Sequence, residues 1–323
     1  MENLDPVAIV TDSAAGLPES LLQEYAIEVV PYWVQVGPRS FLDGVDITPA
    51  EFFRLARAQA EPDVGTSVPS ASVFLEVYRR VAARAKAIVS IHLAGTQSAT
   101  CDVAELAAQS SPIPVTVIDT ATTAMAEGFV VLEAARAAVE GAPLADVVAR
   151  ARALVPKVEL IALLENVNYV IRGGRLASAA RLVSGLLNIQ PLVRVGDNKV
   201  GLLGQVRRRG RGLSQLVERV KAQVGDSPAR VAVHFAEVEE EAQELLSQLK
   251  AAVNCVETYL TRVPVALGVH AGPGSIGVAY CAEAGFVISE RPALRGGLSR
   301  LQGQAKELLD NVRLPGSKEE DTR

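Results

Sequence analysis

The sequence predicts an α/β protein in two parts, a first with a mostly parallel sheet and a second, from about Pro156, with a mixed sheet. Three observations carry this. Short aliphatic runs alternate with amphipathic segments through most of the 323 residues, the rhythm of a parallel sheet covered by helices. Beyond Pro156 the texture changes, and "NKVGLLGQV" alternates as an antiparallel strand does. A composition of 49% hydrophobic and 21% charged residues supplies a sizeable core and excludes global disorder.

In chain order, "PVAIVTDS" reads as a buried strand, and "PESLLQEY" as a helix opened by Pro18. "EVVPYWVQV" is strand-like, and "TPAEFFRLARAQ" is a helix with Thr48 as N-cap. "PSASVFLEVYRRVAARA" is a helix, "AIVSIHL" a strand, "SATCDVAELAAQ" a helix and "VTVIDT" a strand. Two long helices follow, over about 123–140 and 143–155. In the second part "ELIALLEN", "ARVAVHFA", "CVETYLTRV" and "ALGVHAG" are expected strands, and "RGLSQLVERVKAQV" and "EEEAQELLSQLKAAV" are expected helices. The expected divisions are 1–156, 157–288 and a polar extension, 289–323.

Composition narrows the function classes. Aromatics make up 4% of the chain with one Trp, so a buried cavity has aliphatic walls and base-stacking platforms are not expected. A formal charge of −5 gives no overall attraction to nucleic-acid phosphates. No apolar run reaches the roughly 20 residues that span a bilayer, and the acidic start "MENLDPVAIVTDS" is unlike a signal peptide. Three scattered cysteines and three histidines offer neither a disulfide framework nor metal-ligand spacing. The expectation is a cytoplasmic protein without a metal or cofactor.

Four loops carry candidate chemistry. "TDSAAG" closes the first strand and is either the wall of a site or an Asp/Ser turn with a helix cap. In "GTSVPS", Thr66 is a donor to an anion, or else Ser67 or Ser70 caps the next helix. "HLAGTQSA" follows a strand and enters a helix like an anion cradle, without nucleotide-loop spacing. In "GVHAGPGSIGVAY", His270 stands before a glycine- and proline-rich turn. Elsewhere, "RGGRLASAARLVSGLLNIQPLV" offers a glycine pair and Arg175. "RRRGR", Arg207 to Arg211, is a cationic cluster in an acidic chain, either a solvated helix start or a docking surface. No G-x-S-x-G nucleophile elbow is present.

Taken together, "TDSAAGLP", "FLDGVDITPAEFF", "PDVGTSVPS", "GTQSA", "VIDT", "GGRLASAARLVSGLLNIQPLV", "VRRRGRGLSQLVE" and "GVHAGPGSIGVAY" resemble, in order, the DegV family of bacterial fatty-acid-binding proteins. The resemblance implies two α/β domains with a long-chain fatty acid such as palmitate at their interface, and a carrier rather than a catalyst. A separate fatty acid kinase would phosphorylate the bound acid. By motif match, Thr66 bonds the carboxylate and His270 belongs to the same polar network, with Gly95 and Thr96 closing the cradle. Arg207, Arg208 and Arg209 correspond to a partner-docking segment. The chain departs from the family pattern "SSxLSGTYQSA": its loop is shorter, and Ala94 stands before Gly95 where relatives have serine. Two rivals use the same cleft, an acyl- or phosphate-directed hydrolase or transferase and a non-lipid binding module.

Overall fold

In the computed structural model, residues 5–57, 63–165, 169 and 189–282 are described, and they fall in a compact unit spanning Met1–Ile288. Most of the Arg172–Val193 motif, including Arg175, lies outside the described residues, as does the 289–323 extension.

The first sheet has four parallel strands in the order β2-β1-β6-β7. They are β1 (Ala8–Asp12), β2 (Glu28–Val30), β6 (Ile88–His92) and β7 (Val115–Asp119). Alternate side chains serve opposite faces, as the pleat requires. Ala8, Val10 and Ile88 pack with Phe74, Val77 and Tyr78 of α3 (Ala71–Ala82) and Ala104 of α4 (Thr100–Ala108). Ile9, Val89 and Ile91 pack on the other side against α5 (Ala124–Val139), with α6 (Leu144–Leu154) beyond it. A short α1 (Glu19–Glu24) follows the first strand.

The second sheet has six strands in the order β10-β9-β8-β13-β11-β12. These are β8 (Val158–Leu163), β9 (Gln190–Gly196), β10 (Lys199–Val206), β11 (Ala229–Phe235), β12 (Cys255–Arg262) and β13 (Ile276–Ala282). Only β11 and β12 pair in parallel, so the sheet is mixed as expected. One face, with Ile161, Val231 and Val278, packs on α7 (Arg209–Val224) and α8 (Glu239–Ala252). The other, with Leu160, Val195, Ala232 and Ala279, shares a core with α5. Helix α5 is therefore clamped between two sheets, which explains why it is apolar nearly all round. Among the described residues no helix is long and apolar enough to cross a membrane.

A third, small antiparallel sheet, β4-β3-β5, joins β3 (Trp33–Val36), β4 (Arg39–Leu42) and β5 (Val64–Ser67). The expected single strand "EVVPYWVQV" is therefore two strands in two sheets, broken at Pro31-Tyr32, where proline removes a ladder donor. Helix α2 (Pro49–Arg57) begins as expected at Thr48, whose Oγ1 accepts from the Glu51 amide while the Glu51 carboxylate accepts from the Thr48 amide. One element is corrected. "ALGVHAG", expected as a strand, is the short helix α9 (Val265–Ala271).

Candidate functional site

Helix α9 owes its form to contacts distant in sequence. Pro264 precedes it with φ −53°, already set for a helix start. The Asp43 carboxylate accepts the Val265 and Ala266 amides, each at 3.1 Å, satisfying two of the donors that a helix start leaves open. Gly268 lets α9 lie against α2, since a Cβ there would stand 3.0 Å from the Phe53 ring. Gly272, with φ 77°, takes the chain out of the helix.

The last turn of α9 brings His270 to Thr66 of β5, with Nε2 3.2 Å from Oγ1 across 204 residues of sequence. His270 also lines a cavity of about 130 Å³. Its walls include Leu160, Leu164, Val193, Val195, Leu267 and Ile276, with Gln97, Thr123, His234 and Ser275 as further polar members. Burial pushes the His234 imidazole down to about 4, against a backbone hydrogen bond to Arg262. It is neutral at pH 7, and its Nε2 accepts the Met125 amide at 2.9 Å. Thr123 Oγ1 and Gln97 Nε2 are buried without a hydrogen-bond partner among the described residues, a costly state in an apolar site.

The loop after β6 places its residues differently. The Gly95 amide donates to Asp119 Oδ2 at 3.0 Å, and the Thr96 hydroxyl to the Asn198 carbonyl at 2.7 Å. The Ala94 amide donates to the Thr122 carbonyl at 2.8 Å, and the residue is completely buried. Ser98 shares hydrogen bonds with Tyr32 and Thr100. None of these four residues lines the cavity; Gln97 is the loop residue that does. Sequence reasoning passed over Gln97 because the neighbouring hydroxyls are the obvious donors.

The other motifs sort by their partners. In "TDSAAG", Asp12 Oδ1 accepts the Ala14 amide at 2.9 Å, capping a 3₁₀ turn, and Ser13 donates to Asp43 Oδ2 at 2.8 Å. Ser70 sits at the N-cap of α3 without a side-chain cap bond. Arg209 reaches Glu165, Glu241 and the Gly274 carbonyl. Arg207 and Arg208 are exposed and have no ion-pair partner among the described residues. A Ser–His–Asp chain does occur: His92 Nδ1 lies 2.9 Å from Asp12 Oδ2, and His92 Nε2 lies 2.7 Å from Ser90 Oγ. All three side chains are sealed in the core, at 1% exposure or less, so no substrate reaches this serine. Among the described residues no group of His, Cys, Asp and Glu is placed to hold a metal ion.

Comparison with known proteins gives a consistent picture. The sequence model described as "Uncharacterised protein, DegV family" matches residues 6–283. A DegV domain-containing protein of Streptomyces coelicolor is 34% identical over 275 residues, covering 84% of this chain and 97% of that protein. Among solved structures, a fatty acid binding DegV family protein from Thermus thermophilus superposes with a TM-score of 0.80 at 28% identity, covering 86% of this chain and all of that one. DegV from Bacillus subtilis, described as a fatty acid binding protein, gives 0.79 at 25% identity, covering 86% and 99%.

Proposed function

The chain belongs to the DegV family, and from this premise we propose that it binds a long-chain fatty acid, tail in the apolar cavity and carboxylate on Thr66 and His270. The observation that carries the reading is the Thr66–His270 pair at 3.2 Å, with His270 on the wall of a mostly aliphatic cavity. An unpaired carboxylate in such a place costs several kcal/mol, so donors are required there. Tail burial supplies the affinity, at about 0.8 kcal/mol for each methylene that the cavity takes in, before association costs. The head group then selects for an acid. Gln97 Nε2 is available as a further donor, whereas Gly95 and Thr96 serve only if they exchange their present partners.

In this reading residues 1–156 and 157–288 are two domains with the ligand between them. The protein is a cytoplasmic carrier that presents the carboxylate to a fatty acid kinase, docking through Arg207 and Arg208, with Arg209 holding the local fold. The hydrolase reading has one structural look-alike behind it, the Ser90–His92–Asp12 chain. Its burial argues against it, and purified protein should show no turnover of acyl esters or acyl phosphates. Native mass spectrometry of freshly purified protein tests the main reading. Bound mass matching a long-chain fatty acid supports it, and lipid-free protein that takes up no added palmitate overturns it.

A further inference from the structure

The two proposed head-group donors arrive on separate elements, and a single carboxylate joins those elements. Thr66 lies on β5, in register with Val34 of β3. Asp43 directly follows β4 of the same small sheet, and its amide donates to the Tyr32 carbonyl just before β3 at 2.9 Å. Its side chain holds the first two amides of α9, the helix that ends in His270. Ser13, from the loop after β1, donates to Asp43 Oδ2 at 2.8 Å and accepts the Tyr32 amide at 3.1 Å. The carboxylate is 5% exposed and fully engaged.

We propose that Asp43 is a positioning residue for acid recognition: it pins the start of α9 to the sheet that carries Thr66, and so holds His270 in register with Thr66. The inference rests on the fatty-acid reading above. Helix α9 is short, only Val265–Ala271, so a shift at its start is carried through to His270, and misplacement of a binding group by about 1 Å is enough to lose a directed contact. The aliphatic walls contributed by the second sheet do not depend on this pin. Loss of the carboxylate therefore acts on choice of head group more than on uptake of a tail.

The test is competition of palmitate against hexadecanol in wild type, Asp43→Asn, His270→Ala and the double variant. Asp43→Asn is expected to lower the acid-over-alcohol preference about tenfold while hexadecanol binding stays within about threefold of wild type, and to add nothing in the His270→Ala background. Equal loss of both ligands, or an effect additive with His270→Ala, overturns the proposal and leaves Asp43 a merely structural residue. Should Asp43→Asn not fold, Ser13→Ala, which removes one donor from the same carboxylate, is read in the same way, and an unchanged preference there is equally fatal. The fatty-acid reading fails separately, through a wild type that shows no preference for the acid.

Discussion

Two histidines in this protein each stand beside a hydroxyl, and their settings are opposite. His92 lies between Asp12 and Ser90, with Tyr78 donating to the same serine at 2.9 Å, all within the core. His270 meets Thr66 at 3.2 Å on the wall of a cavity. The first arrangement has the residue types and distances of a catalytic triad, yet every member is satisfied by its neighbours and none faces open space. The second is chemically poorer, but it has somewhere to put a ligand. Function here follows from the space beside the side chains more than from the side chains themselves.

The comparison predicts that the sealed chain matters to stability and the open pair to choice of ligand. The largest effect belongs to Asp12→Ala, which strips acceptors from His92 Nδ1 and the Ala14 amide. Urea unfolding should show a loss of about 1–3 kcal/mol for each buried donor left without an acceptor. A loss below about 1 kcal/mol would mean that the chain is not the structural unit described.

Next comes the pH dependence of the pin on α9. Burial raises the Asp43 carboxyl from 3.8 to about 6, against the hydrogen bonds from Ala266, Ser13 and Val265, and the nearby Asp12 charge adds to the rise. A carboxyl raised in the folded state contributes stability fully below its unfolded value, and that contribution is lost as pH rises through the folded one. Relative to Asp43→Asn, the wild type should therefore gain stability between pH 7 and pH 4, by up to about 3 kcal/mol. A difference that is flat with pH would show that Asp43 titrates normally.

Filling the cavity separates tail from head group. Val193→Phe places a larger side chain in the wall and should weaken palmitate and hexadecanol alike, by about 1–3 kcal/mol in competition binding. Selective loss of the acid alone would put the head group at Val193. The smallest effect is expected from Arg207→Glu with Arg208→Glu. Both side chains are exposed, so lipid retention by native mass spectrometry should stay unchanged, while coupling to a fatty acid kinase is lost. Lipid loss from the folded variant would bring the cluster into the binding site.

Much of this organisation was legible in the sequence. Aliphatic runs such as "AIVTD" and "IVSIH" became completely buried parallel strands, because a strand covered on both faces needs apolar residues throughout. Helix α9 was not legible: a short apolar stretch with two valines and a glycine reads equally as a strand. What decides it is Asp43, 222 residues away in the chain, together with the packing of Gly268 on Phe53. The partners of Asp43 are two backbone amides of α9 and the Ser13 hydroxyl, all distant in sequence, and no local pattern encodes such pairings. Thr66 and His270 stood out in their own loops, but neither loop alone points to the other, and only the family resemblance joined them at one carboxylate. The orientation of Gln97 into the cavity, while Thr96 and Ser98 turn elsewhere, depends on where Asn198 and Tyr32 lie in the folded chain.

The most direct test of the central claim is competition of palmitate against hexadecanol in wild type, Thr66→Ala, His270→Ala and the double variant. The aliphatic walls are untouched by these changes, so the tail should still bind in all four. The preference for the acid should fall by several kcal/mol in the double variant, and the two single losses should be non-additive because both groups serve one carboxylate. Undiminished acid preference in the double variant would contradict the account and place the head group elsewhere.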